Sequence, residues 1–294
     1  MAVKRKLKPV LDGEWRLIGP SPDLRGILPG ADTWQGQYNE HNAPVDHHLF
    51  QGPDGIWHLW GCVRNTAVGR ILYHWKTDDF MRSPWECTGE IIRIDGAAGE
   101  SYGSSPGEGA SEEPDEECIQ SPFFVMHDGV YYMFYGGGGS RPDDPAQPET
   151  DKASTSRAAQ ICLMTSTDGW KWDRHRDQNG YSRLFIGPGP TRDPCVLRIG
   201  DLWYLYYAGA KNGDLDQPVF WARTSQDLIH WSEPKIVHDD LRFGAGRWDT
   251  ECPFVVHRDG YYYLFRTEDY YAAKTHVFRS EDPLDFGIGD ASEA

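Results

Sequence analysis

Short runs rich in Tyr, Trp, Phe, Leu and Val recur along the chain, each broken by a tight polar turn. The run Val130 to Tyr135 follows His127-Asp128-Gly129, Leu202 to Tyr207 follows Ile199-Gly200-Asp201, and Tyr261 to Phe265 follows Arg258-Asp259-Gly260. Ahead of each turn stands another apolar run, opened by Pro122, Pro194 or Pro253. Asp-Gly or Gly-Asp between two β-rich runs predicts a hairpin. A fourth copy lies earlier and lacks the proline: Val45 to Phe50, then Gly52-Pro53-Asp54-Gly55, then Ile56 to Trp60.

A second element follows each hairpin: Thr77-Asp78-Asp79 with Trp85, Ser166-Thr167-Asp168 with Trp172, Ser225-Gln226-Asp227 with Trp231, and Ser280-Glu281-Asp282 with Phe286. Ser and Asp side chains bond nearby backbone amides in such turns, and the aromatic pins the next strand. Four turns in phase with four hairpins predict a unit of about four strands, which is the blade of a β-propeller. Blades begin near Val45, Glu117, Arg192 and Glu251, within a single all-β domain over 1–294. The fourth lacks its last strand. Either residues 1–40 and the tail build an incomplete fifth blade, or the chain is a piece of something longer. The stretches Gly99 to Glu117 and Gly136 to Arg157, rich in Gly, Pro and acids, read as long loops.

Composition agrees with a β protein: 12 Trp, 15 Tyr and 12 Phe suit half-buried pleated surfaces, and 32 Gly with 20 Pro supply turns. A formal net charge of −16 argues against nucleic acid or an anionic membrane as partner and is easier to reconcile with a neutral substrate. The basic start of the chain is not followed by an apolar stretch, and no segment has the ~20 apolar residues that span a bilayer, so a cytoplasmic protein is expected. Six cysteines without CxxC spacing read as buried free thiols rather than a zinc site.

Acids recur where the blades begin. In a propeller the first strand of every blade lines the central axis, so Asp46, Asp193 and Glu251, far apart in sequence, are expected around one axial pocket. Carboxylates gathered there can act as nucleophile or base, transition-state stabiliser and acid. The structural alternative is that each merely pairs with a neighbour such as Arg192 or Arg247. Trp34, Gln37, His47, Gln120, Ser121, Arg192 and Trp248 are candidate substrate-binding residues, with Gln120 and Ser121 of the second blade shaping the pocket. No cofactor or metal is expected; His41, His47 and His48 do not make a full ligand set, because neighbours on a strand face opposite ways.

At these residues the chain resembles the five-bladed propeller glycosidases, glycoside hydrolase families 32, 68 and 43. Arg192-Asp193-Pro194 is similar to the family 32 Arg-Asp-Pro motif, which implies that Asp193 binds sugar hydroxyls and stabilises the transition state. Glu251-Cys252-Pro253 is similar to that family's Glu-Cys motif, which implies that Glu251 is the acid/base. Ser225 to Trp231 resembles the blade turn of all these families. The first motif departs: Asn42-Ala43-Pro44-Val45-Asp46-His47-His48 keeps only the aspartate, so Asp46 is either a nucleophile, as family 32 implies, or a base, as family 43 implies. The resemblance implies a hydrolase of fructosides or arabinosides. A phosphorylase using Arg192, Arg247 and Arg266, or a catalytically silent sugar-binding propeller, are the alternatives.

Overall fold

A computed structural model describes residues 17–22, 44–66, 69–100, 117–139, 159–211, 218–239, 250–268 and 274–288. These residues are almost entirely strands, with one 3-10 turn at Gly96–Ala98. Among them no helix is long and apolar enough to cross a membrane.

The strands form a β-propeller with four blades among the described residues. Blade one comprises β1 (Pro44–Gln51), β2 (Trp57–Thr66), β3 (Gly69–Thr77) and β4 (Glu86–Ile92). Blade two comprises β5 (Glu117–His127), β6 (Val130–Gly139) and β7 (Ala159–Ser166), with short β8 (Asp173–Arg174) and β9 (Arg183–Ile186) both paired to β7. Blade three is β10 (Arg192–Ile199), β11 (Leu202–Ala210), β12 (Pro218–Ser225) and β13 (Lys235–His238). Blade four is β14 (Glu251–Arg258), β15 (Tyr261–Glu268) and β16 (Lys274–Ser280). Consecutive strands within a blade are antiparallel. A short parallel pairing of Gly69 with Glu117 and Arg70 with Cys118 ties blade one to blade two. Residues 281–288, after β16, do not extend their own blade: Phe286 N–H donates to Val237 O at 2.7 Å and Asp239 N–H to Gly287 O at 3.0 Å, so they seal blade three.

The apolar runs are continuous because middle strands are buried on both faces. On β11, Trp203, Leu205 and Tyr207 pack toward Phe134, Ile161 and Leu163 of blade two, whereas Tyr206 and Ala208 pack toward Val255 and Leu264 of blade four. The period of two sends successive side chains into two different cores. Trp60, Cys62 and Leu72 meet Ile119, Phe124 and Met133 in the same way between blades one and two. Each fully buried large apolar side chain contributes roughly 1.5–3 kcal/mol, so the blade-to-blade cores hold the axis together.

The turn after each third strand has the chemistry expected of it. Ser166 Oγ accepts from Gly169 N–H at 2.9 Å and Asp168 Oδ1 from Trp170 and Lys171 N–H at 2.8 and 2.9 Å. Ser225 and Asp227 repeat this with Leu228, Ile229 and His230, and Ser280 and Asp282 with Asp282 and Leu284. Two expectations need correction. Gly136–Gly139 is strand, not loop, because β6 runs through it: a Cβ at Gly137 would lie 2.3 Å from Cys162 Sγ, so only glycine lets the two strands close. Nor are all thiols buried; the six cysteines are free, but Cys252 is exposed and Cys87 only partly covered.

Candidate active site

The first strand of each blade carries one extra residue near its start. The register slips between Val45 and His47, between Gln120 and Phe123, between Arg192 and Cys195, and between Glu251 and Phe254. At each slip one non-glycine residue has a left-handed backbone: Asp46 (φ 45°), Ser121 (φ 54°), Asp193 (φ 57°) and Cys252 (φ 54°). These are β-bulges, and they turn one side chain out of the ladder at the same height in four blades. Proline tolerates the position after the bulge because the ladder makes no demand on its missing N–H, which explains Pro122, Pro194 and Pro253.

The bulges set the acids at two different places, as the offset of Glu251 from its proline predicts. Asp46 and Asp193 occupy the left-handed position of their blades, but in blade four that place belongs to Cys252. Glu251 is one residue earlier, level with Arg192 and Gln120. The proline was the available signal: aligned on it, Ser121, Asp193 and Cys252 coincide.

The first strands of blades one to four pack each against the next, bringing these positions together around the axis. Asp193 is nearly buried, 8% exposed, and is gripped from both sides. Ser121 Oγ donates to its Oδ1 at 2.8 Å, and Cys252 N–H donates to its Oδ2 at 3.1 Å. Arg192 lies between the acids: Nη2 donates to Glu251 Oε1 at 2.7 Å, Nε is 3.5 Å from Asp193 Oδ2, and Nη1 donates to Pro190 O at 3.1 Å. Burial opposes charge on Arg192, but Asp193 and Glu251 outweigh it and hold the guanidinium protonated, above the usual arginine range.

Asp46 reaches the group through Cys252, whose Sγ is 4.0 Å from Asp46 Oδ1. Protein walls Cys252 on most sides even though solvent reaches it. That low-dielectric setting, and then Asp193, Asp46 and Glu251, push its thiol well above the ordinary value. The thiol is therefore a neutral group among three carboxylates, not a thiolate nucleophile.

The remaining candidates divide. Gln120 is buried and accepts from Arg70 Nη1. His47 is exposed, whereas His48 turns back into the fold: its Nδ1 accepts from Phe124 N–H at 2.9 Å and its ring stacks on Phe123. Burial, then His47, lower His48 to about 4, so it is a neutral stitch between β1 and β5. Trp34, Gln37 and Trp248, with His41 and Arg247, lie outside the described residues. Among the described residues no three His, Cys, Asp or Glu side chains are grouped to hold a metal ion.

Sequence reasoning missed Glu100, which lies in a stretch read as loop. It is fully buried, bonded by Arg174 Nε and Nη2 at 2.8 and 3.0 Å, Ser182 Oγ at 2.8 Å, Tyr135 OH at 2.5 Å and Asp95 N–H at 2.7 Å. No local pattern announces it, since Arg174, Ser182 and Tyr135 come from blade two and the Asp95 N–H alone is near it in sequence.

No family model matches the chain, and no curated protein does. Solved structures do resemble it. A thermostable family-43 glycoside hydrolase aligns over 85% of this chain and 73% of its own, with TM-score 0.55 and 17% identity. The native arabinanase of Bacillus subtilis aligns over 83% and 74%, with TM-score 0.55 and 14% identity. A family-32 β-fructofuranosidase of Bombyx mori aligns over 86% and 52%, with TM-score 0.54 and 15% identity. The likeness is one of fold.

Proposed function

We propose that the protein is a glycoside hydrolase acting on a furanoside, a fructoside or arabinoside, at the axial end of the first strands. The observation that carries this reading is the meeting of Asp46, Asp193 and Glu251, from three blades, around Cys252. Structural neighbours whose names are arabinanase and β-fructofuranosidase support it.

In this reading the protonated form of Glu251 gives its proton to the glycosidic oxygen as the bond to the anomeric carbon breaks, leaving the carboxylate that pairs with Arg192. Arg192, bonded to Glu251 Oε1, fixes the direction in which that carboxyl points. Positive charge then develops on the ring, and Asp193, fixed through both oxygens, faces it or accepts sugar hydroxyls without reorganising. Asp46 either attacks the anomeric carbon, leaving a glycosyl-enzyme that water hydrolyses, or takes a proton from water that attacks in its place.

The phosphorylase reading needs cations for phosphate. In the structure Arg192 faces Glu251, Asp193 and Pro190 O, and buried Arg266 donates to Thr250 Oγ1 at 3.2 Å, which disfavours it. Reducing-sugar release from a panel of fructosides and arabinosides, with and without inorganic phosphate, tests the proposal. Release independent of phosphate is expected; strict dependence on phosphate would make the enzyme a phosphorylase, and no turnover of any member would leave a sugar-binding propeller. Proton NMR of the first-formed anomer separates Asp46 as nucleophile from Asp46 as base. The cytoplasmic location expected from the sequence belongs to this proposal and is tested by cell fractionation.

A further inference from the structure

Among the described residues seven non-glycine residues have a left-handed backbone, and four of them are the bulge residues Asp46, Ser121, Asp193 and Cys252. Elsewhere the chain meets that demand mostly with glycine, as at Gly55, Gly129, Gly169 and Gly260. An L side chain held there costs roughly 1–2 kcal/mol, and it persists where the side chain is used. For Asp46 and Asp193 the use is the proposed chemistry. Ser121 has no group suited to acid, base or nucleophilic work in that scheme, yet it keeps the same strained place.

We infer that Ser121 is a positioning residue, whose hydroxyl and the Cys252 N–H together clamp the Asp193 carboxylate in a single orientation. The inference rests on the glycosidase reading for its effect on rate, and on geometry alone for the clamp. Asp193 comes from blade three, Ser121 from blade two and Cys252 from blade four, so each neighbouring blade holds one carboxylate oxygen. A carboxylate bonded through one oxygen can still swing about the bond to its carboxyl carbon; a second donor on the other oxygen stops it. The Cys252 N–H is fixed by the bulge of β14 and cannot be removed by substitution of a side chain. Ser121 is the half of the clamp that can be removed. It is 6% exposed and its Oγ is spent on Asp193 Oδ1, so it serves substrate through Asp193 rather than by contact.

Ser121→Gly in the full chain tests this cleanly, because glycine suits φ 54° better than serine and the fold loses only one hydroxymethyl group. The first readout needs no substrate. A crystal structure of Ser121→Gly is expected to show the Asp193 carboxylate rotated or in two orientations; Asp193 unmoved would overturn the clamp. The second readout is kinetic, with sucrose and para-nitrophenyl α-L-arabinofuranoside as probes. A misplaced catalytic group costs up to about 100-fold, so kcat should fall roughly 10- to 100-fold with KM nearly constant. In an Asp193→Asn background Ser121→Gly should add nothing, since both act through one carboxylate. Full additivity, or an unchanged kcat with Asp193 displaced, would overturn its part in the reaction. If wild type turns over neither probe nor any other furanoside, the glycosidase reading fails by itself, and the crystallographic readout still decides the clamp.

Discussion

Two sets of acids recur with the blade, one in the turns and one on the axis. Asp168 and Asp227 in the turns accept only from residues within three positions of themselves, through Ser166 or Ser225, the following amides and, for Asp227, His230. Asp193 and Glu251 on the axis accept hydrogen bonds instead from partners 72 and 59 residues away, with Arg192 beside Asp193 adding an ion pair at 3.5 Å. The turn carboxylate of Asp227 is half exposed, whereas Asp193 and Glu251 are 8% and 7% exposed. A carboxylate whose donors are local shapes the chain that carries it; one whose donors converge from several blades marks a place where the fold has assembled something. Glu100 limits the rule. Its side-chain donors are also distant, but it is sealed from solvent and serves as a buried ionic anchor.

The largest difference between the two sets should appear in turnover. Glu251→Gln keeps the volume and an acceptor for Arg192 while removing the proton, and is expected to lower kcat by about 10² to 10⁴-fold with the melting temperature nearly unchanged, because Asp193, 3.5 Å from Arg192, still balances its charge. Equal activity would return Glu251 to the class of structural acids. Glu100→Gln should do the reverse. Taking the counter-charge from Arg174, whose side chain is about one-fifth exposed, and the acceptor from the buried Ser182 and Tyr135 hydroxyls costs about 1–3 kcal/mol, read as a shift of the urea midpoint, while the protein that remains folded keeps its turnover.

Acid separates the regions by pH. His48, between β1 and β5, is lowered to about 4 and buried His74 to about 3, both mainly by burial, from an ordinary 6.5. Below pH 6.5 the unfolded chain takes up these protons before the folded one, so this stability is complete above 6.5 and lost as pH falls toward 4 and 3. Asp227 is lowered from 3.8: burial pushes it upward, but bonds from His230, Ile229 and Ser225 prevail, so its contribution is lost only below the ordinary carboxylate range. Hydrogen exchange at the Phe124 amide, bonded to His48, should therefore quicken relative to the Ile229 amide between pH 6.5 and 4 after correction for intrinsic rates. Equal protection across that window would refute the assignment. The smallest effect is expected for Asp227→Ala, about 1–2 kcal/mol of stability by analogy with a lost cap and no change in kcat. A large loss of activity there would dissolve the contrast between turn and axis.

The sequence by itself determined the frame: first strands beginning at or beside Val45, Glu117, Arg192 and Glu251, the hairpins that follow them, and the turns at Asp79, Asp168, Asp227 and Asp282. Each depends on forces acting within a few residues, such as Asp-Gly dihedrals, side chains bonding nearby amides and the alternation of faces along a strand, and these repeat wherever the residues repeat. Only the tertiary structure decided which acids meet. The bulges set Cys252, not Glu251, level with Asp46 and Asp193, and turned Gln120 and Arg192 toward protein partners. It also brought Cys252 to Asp46 across 206 residues of chain. A carboxylate's surroundings are set by segments that approach from other blades, and no spacing along the chain encodes which donors those segments bring to it.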